Sequence, residues 1–145
     1  MIQIIKVKHP RHMDLVYAIR REVFIEEQQV SEAEEYDGQD ATATHILAWS
    51  GTQAVGTGRL RLMPEYAKLE RIAVLAPWRG LHIGQFLVNE LIKLAQSQGA
   101  TEARLGSQTH AIGFYENLGF VAYGDIFDDA GIPHRMMKRA LTQAA

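Results

Sequence analysis

The spacing of apolar positions changes along the chain, and each change marks an element. Residues 2–7 alternate weakly and predict a first strand. Over 12–27, Leu15, Ile19 and Val23 recur at every fourth position, joined by Val16 and Phe24, which predicts a one-sided helix. Asp14 near its start suits the positive end of a helix dipole. Residues 28–43 are polar and acidic, with a turn signal at Asp37-Gly38, and predict a loop or irregular helix. Runs at 44–49 and 54–62, joined by Ser50-Gly51-Thr52-Gln53, predict an antiparallel hairpin, and a further strand is expected over 65–75. The clearest helical period lies at 84–98. Ile83, Leu87, Leu91, Leu94 and Ala95 share a face there, widened by Phe86, Val88 and Ile92, with Gly99 as C-terminal cap. A strand over 103–107, a brief helix from Thr109 to Leu118, a strand over 120–127, a turn at 128–131 and a strand over 134–140 complete the order. That order predicts a single α/β domain over 1–145, a layered sandwich around a mixed sheet.

Composition narrows the chemistry. The chain has 145 residues, 47% hydrophobic and 22% charged, as ordinary soluble domains do. With no cysteine, disulfides, thiolate metal sites and a cysteine nucleophile are excluded. The six histidines are scattered without paired helical spacing, so no metal site is expected. A net charge of −2 lends no support to nucleic-acid binding. No segment reads as a signal peptide or a membrane span, and a cytoplasmic protein is expected. The charge is uneven: no lysine or arginine lies between Arg21 and Arg59, an interval that holds Glu22, Glu26, Glu27, Glu32, Glu34, Glu35, Asp37 and Asp40. It reads either as a solvated acidic loop or as a funnel for a cationic acceptor, with Glu27, Glu34 and Asp37 as contacts.

The richest stretch is KLERIAVLAPWRGLHIG, from Lys68 to Gly84. An apolar, partly β-branched run ends at Pro77, and Arg79-Gly80-Leu81-His82-Ile83-Gly84 leads into the long helix. The first amides of a helix lack intrahelical acceptors and carry partial positive charge, so a turn with two glycines and an arginine suits a phosphate or pyrophosphate. No lysine followed by serine or threonine completes a P-loop, and the glycine spacing is wrong for a dinucleotide fold.

Residues Leu69-Glu70-Arg71-Ile72-Ala73-Val74 followed by Arg79-Gly80-Leu81-His82-Ile83-Gly84 resemble the signature of the GNAT superfamily of N-acetyltransferases, an apolar strand and then Gln/Arg-x-x-Gly-x-Gly/Ala. Ala111-Ile112-Gly113-Phe114-Tyr115-Glu116-Asn117-Leu118-Gly119-Phe120 resembles its second hallmark, Ala-Ile-x-Phe-Tyr-x-x-x-Gly-Phe. REVFIEEQ at 21–28 and GIPHRMM at 131–137 look like the YjcF/ElaA branch. The resemblance implies a mostly antiparallel sheet with a splayed central strand pair and helices on both faces. It implies acetyl-CoA as the acyl donor and direct transfer to a primary amine of a small molecule, or else of a protein lysine or N-terminus. A binding module that keeps the CoA cleft without turnover is the rival reading.

The same resemblance implies site residues. Ile72, Ala73 and Val74 would meet the pantetheine arm through their backbone, as an added strand. Arg79, Gly80, Leu81, His82, Ile83, Gly84 and Gln85 would hold the pyrophosphate. His82 stands at the usual middle glycine, and Gln108 where many members carry asparagine. Gln108 and Phe114 are further cofactor contacts. Tyr115 would be the general acid, against the alternative of a core aromatic. Glu70 is the first candidate base, taken to share a face with Ile72 at period two; the alternative is an ion pair with Arg59, Arg61 or Arg71. His110 and His134 are second candidates for base and substrate contacts, since histidine titrates near neutrality. An exposed strand edge could support a homodimer.

Overall fold

Seven strands form one sheet in the computed structural model, which describes residues 1–142. They are β1 (Ile2–Lys6), β2 (Thr44–Ser50), β3 (Gln53–Leu62), β4 (Ala67–Val74), β5 (Glu102–Gln108), β6 (Val121–Asp129) and β7 (Ile132–Ala140), in the order β1-β2-β3-β4-β5-β7-β6. Every neighbouring pair is antiparallel except β4 and β5. Those two are parallel and pair only at Ala67–Ala103 and Lys68–Arg104 before they part. The mixed sheet and its splayed centre match the expectation.

A helix lies on each face. On one face α3 (Ile83–Ser97) packs Leu87, Val88 and Leu91 onto Ile46, Leu60, Leu69, Leu105 and Met137. Gly56 and Gly58 admit this helix: a Cβ on Gly58 would stand 3.0 Å from Leu91 Cδ1, and one on Gly56 3.1 Å from Leu87 Cδ1. On the other face α1 (Pro10–Arg20) and the π-helical turn that continues it (Arg21–Glu27) bring Val16, Ile19 and Val23 onto Leu47 and Ala73. Each buried valine, leucine or isoleucine among them contributes about 1.5–3 kcal/mol by leaving water.

The expected helix over 12–27 starts earlier and changes pitch. His9 caps it by accepting from the Arg11 amide at 3.1 Å, and Pro10 fits its first turn. Histidine is not a usual cap, so this start was silent in the pattern. The acidic segment contains a short helix, α2 (Glu32–Glu35), capped by Ser31. The expected helix over 109–118 is a 3-10 turn (Thr109–Ala111) followed by α4 (Ile112–Glu116).

One local irregularity governs the site. Thr57 faces Ala73 and Arg59 faces Glu70, so Arg71 and Ile72 together oppose the single residue Gly58. Arg71 takes φ 55 to absorb the extra residue. The bulge shifts the side-chain phase of β4. Leu69 and Ile72 point to the α3 face, whereas Ala73 packs with α1. Glu70 pairs with Arg59 and lies on the α1 face, not on the face of Ile72.

Candidate active site

Where β4 and β5 part, a cleft of about 380 Å³ opens. Leu69 and Ile72 line one wall and Leu105 and Gln108 the other; Tyr115, His110 and His134 reach it from beyond β5, and Phe24 and Gln28 from the end of α1. Beyond Lys68 no residue of β4 pairs with β5, so the inner edge of β4, including Ile72, Ala73 and Val74, lacks a strand partner there. An extended, amide-bearing arm can complete that ladder. The Val74 carbonyl also accepts from Arg79 Nε at 2.9 Å.

At the end of β4 a 3-10 turn (Ala76–Trp78) leads to α3. Gly80 has φ 81 and His82 has φ 64, while the helix begins at Ile83. Left-handed His82 followed by right-handed Ile83 turns consecutive amides toward one side, as anion-binding nests do. A side chain at the usual glycine position is thus accommodated, at a backbone cost of roughly 1–2 kcal/mol. The amides of Ile83, Gly84 and Gln85 are first-turn donors, although the Ile83 side chain is core. Gly84 lies against Phe114, where an added Cβ would stand 3.4 Å from the ring. Gly80 has open space around it. A glycine-lined, amide-rich turn beside an unpaired strand edge fits a pyrophosphate joined to an amide-bearing arm.

Arg79 does not stand free in the turn. Its two Nη atoms donate to Glu27 at 2.7 and 2.8 Å. The expected cofactor contact and the expected substrate contact are thus one bidentate ion pair, half-exposed on both sides.

Tyr115 sits behind the cleft wall with its ring edge-on to Phe114 (5.0 Å) and Phe120 (6.0 Å). Burial pushes its hydroxyl up to about 12. Phe114 is exposed over Gly84.

Glu70 does not have the surroundings of a base. Its carboxylate accepts from Arg59, and from Arg61 Nε at 2.6 Å. Burial alone pushes its pKa up, but the hydrogen bonds from Arg61 and Arg59 outweigh it and hold it below the ordinary value. The ion-pair alternative describes this residue, and the bulge at Arg71 is the reason.

The acidic segment is not an open funnel either. Arg20 and Arg59, both fully buried, gather Glu35, Asp37, Asp40 and Glu70. Arg71 adds contacts to Glu35 and Asp37. Hydrogen bonds from Arg59 hold Asp37 well below the usual carboxylate range. Asp37 therefore anchors residues 28–43 to the sheet. Of the three expected contacts, Glu34 alone lines the cleft without an ion pair among the described residues; its carboxylate accepts from Ser31 Oγ at 2.9 Å. The charges that neutralise the segment come from β3, β4 and α1, far away in sequence.

A polar chain crosses the cleft mouth. His110 Nε2 donates to Gln108 Oε1 at 2.7 Å, and Gln108 Nε2 donates to Gln28 Oε1 at 2.9 Å. Gln108 is thus committed to two protein partners, and His110 keeps Nδ1 as its lone-pair nitrogen. His134 donates from Nδ1 to the Ile132 carbonyl at 2.7 Å and stacks on Phe127. Gln28 closes the stretch REVFIEEQ, but its place at the cleft is identified only by its contact 80 positions away.

A family model described as the acetyltransferase (GNAT) domain matches residues 8–141. The uncharacterized protein YyaT of Bacillus subtilis is 43% identical over 128 residues, 86% of each chain. The uncharacterized N-acetyltransferase YjcF of the same organism is 37% identical, covering 91% of this chain and 95% of its own. The crystal structure of Escherichia coli ElaA superposes with a TM-score of 0.86 at 25% identity, over 96% of this chain and 99% of that one.

Proposed function

The chain belongs to the GNAT family of acetyltransferases, and from that premise we propose that it transfers an acetyl group from acetyl-CoA directly to a primary amine. The observation that carries this reading is the parting of β4 and β5 over Tyr115, with the amide-rich turn at one end. Acetyl-CoA supplies the acyl carbon and a thiolate leaving group. The inner edge of β4 would align the pantetheine arm, and donors on that edge would polarise the carbonyl. The turn from Gly80 to Gln85 would hold the pyrophosphate, with Phe114 against Gly84 as its floor. Tyr115 would return a proton to the departing sulfur.

The amine must lose its proton before attack. At pH 7 an alkylammonium of pKa near 10.4 is neutral in roughly one molecule in 2,500, which costs about 4.6 kcal/mol. With Glu70 committed to two arginines, the base in this reading is His110, whose Nε2–H is tied to Gln108 and whose Nδ1 is left to accept. A cytoplasmic enzyme is part of the same reading, and no helix among the described residues is long and apolar enough to cross a membrane. A free sheet edge, β1 or β6, would support a homodimer.

Thiol release from acetyl-CoA with a panel of amines tests the reading. Turnover is expected, and Tyr115→Phe should lower kcat by about 10²–10⁴-fold, the range for a general acid, with CoA affinity unchanged. Tight CoA binding with no turnover for any amine or peptide, and no effect of Tyr115→Phe, would identify a binding module instead. Acetylation of peptide lysines or N-termini alone would move the acceptor to proteins.

A further inference from the structure

A row of cations crosses the sheet beside the cleft. Arg61 on β3 is directly opposite Lys68 on β4, Lys68 is opposite Arg104 on β5, and Arg104 is opposite Lys138 on β7. Directly opposed residues share a face, so four positive side chains stand side by side on four adjacent strands. With strands about 4.8 Å apart the row spans roughly 14 Å. Like charges in opposed positions destabilise a sheet. Nothing in the fold requires the row: all four side chains lie off the core.

Local carboxylates neutralise only part of it. Arg61 donates from Nε to Glu70, and Arg104 from Nε to Glu102 at 2.6 Å. Lys68 and Lys138 form no ion pair among the described residues. Two tyrosines frame the row. The Arg104 guanidinium lies 4.4 Å from the Tyr66 ring centroid and 5.8 Å from that of Tyr123, and Lys138 Nζ lies 5.0 Å from Tyr123. These contacts hold the cations without cancelling their charge.

The position of the row gives it a meaning. Lys68–Arg104 is the last pair before β4 and β5 part, so the row closes one end of the cleft, and Lys68 lines that cleft. From Lys68 to Ile72 is four residues of strand, about 13 Å at full extension and less across the bulge.

We infer that this row is the anion subsite for the acceptor, which is an amine bearing a carboxylate or phosphate roughly 10 Å from its nitrogen. The inference rests on the acetyltransferase reading for the amine end alone. The anion docks between Lys68 and Lys138, and the chain linking it to the nitrogen runs along the cleft toward Tyr115. Other charges lining the cleft are Glu34 and Glu35 from α2, Glu70 and Arg71 from β4 and Asp129 from β6; Glu35 and Arg71 neutralise each other, and Glu70, which also feels Lys68, is held by Arg59 and Arg61.

Two arms test it. In the first, CoA-saturated protein, whose phosphate-binding turn is filled, is titrated with inorganic phosphate and separately with octanoate while backbone amide shifts are followed. Shifts at 66–70, 102–106 and 136–138 are expected, and they should disappear in the double variant K68Q/K138Q, with CoA affinity and melting temperature kept. Shifts confined to the start of α3, or none, would overturn the subsite. In the second, 8-aminooctanoate, 6-aminohexyl phosphate, octylamine and 1,8-diaminooctane are compared as acceptors. At least a tenfold preference in kcat/KM for the anionic amines is expected, falling to about twofold in K68Q/K138Q. Equal rates, or a preference for the diamine, would overturn the link to the acceptor even if phosphate binds. If no amine is acetylated, the acetyltransferase reading fails while the first arm still decides whether the row binds anions.

Discussion

Tyr115 shows how an environment sets the difficulty of a chemical step. A thiol ordinarily titrates near 8.5, and burial pushes this hydroxyl up to about 12. Proton donation to a water-exposed thiolate would then be uphill by roughly 5 kcal/mol. A thiolate held in the same dry wall is raised as well, which narrows the gap. The Arg79–Glu27 pair poses a second problem at single side chains, because the guanidinium that would meet a phosphate is already engaged. Arg79→Ala should weaken CoA binding about tenfold, and Glu27→Gln should strengthen it by releasing the guanidinium. Calorimetry with CoA checks both; equal affinities in all three proteins would remove Arg79 from the cofactor site. His110→Ala should lower kcat at neutral pH by about 10²-fold and leave CoA affinity intact, a split that steady-state kinetics reads directly.

Two elements, α3 and β4, depend on a residue in a left-handed conformation that glycine would adopt more easily. At the start of α3, His82 has φ 64 with no side-chain bond to the helix end. His82→Gly should therefore stabilise the protein by about 1 kcal/mol, raising the melting temperature by a few degrees. A thermal melt checks it, and a lower melting temperature would mean that the imidazole makes a contribution larger than the strain. The bulge in β4 behaves differently. Arg71 pays the same backbone cost but its guanidinium holds Glu35 and Asp37. Glycine there would remove the strain and also the tie that fastens residues 28–43 over the cleft.

Across the molecule, α1, β3, β4 and the acidic segment are joined by one buried ionic network. Removing a partner from such a network leaves an uncompensated charge, which costs about 3–5 kcal/mol. Its pH dependence follows from the direction of each shift. Asp37, Asp40 and Glu70 titrate lower in the fold than their ordinary values of 3.8, 3.8 and 4.5. The unfolded chain takes up their protons first, so their contribution is complete above about pH 4.5 and is lost as pH falls toward the folded values. His45 acts sooner. Burial lowers its pKa from 6.5; Nε2 donates to the Asp40 carbonyl at 2.9 Å, while buried Nδ1 lacks a partner among the described residues. The unfolded chain protonates this imidazole below 6.5 while the folded one resists, so stability should start to fall there. Urea denaturation from pH 8 to 3 should give a plateau above 6.5, a shallow decline below it and a steep one below 4.5. His45→Gln should extend the plateau downward, and an unchanged shallow decline in that variant would assign it to another group.

Periodicity and two short motifs were enough to predict the sheet, the long helix, the splayed strand pair and the family. These are local properties: apolar spacing reports which face is buried, and a helix start with glycines reports its own anion site. The role of Glu70 was not legible, because a period-two count breaks at Arg71 and the bulge is set by pairing with β3. Nor was the fate of the acidic segment, whose counter-charges Arg20, Arg59 and Arg71 come from other elements. Gln28 meets Gln108 across a sequence separation of 80. The cation row consists of four unremarkable surface residues until strand register aligns them. Charge pairing is a matter of distance in space, which apolar spacing along a chain does not encode; it was the packing of the elements that made these carboxylates structural.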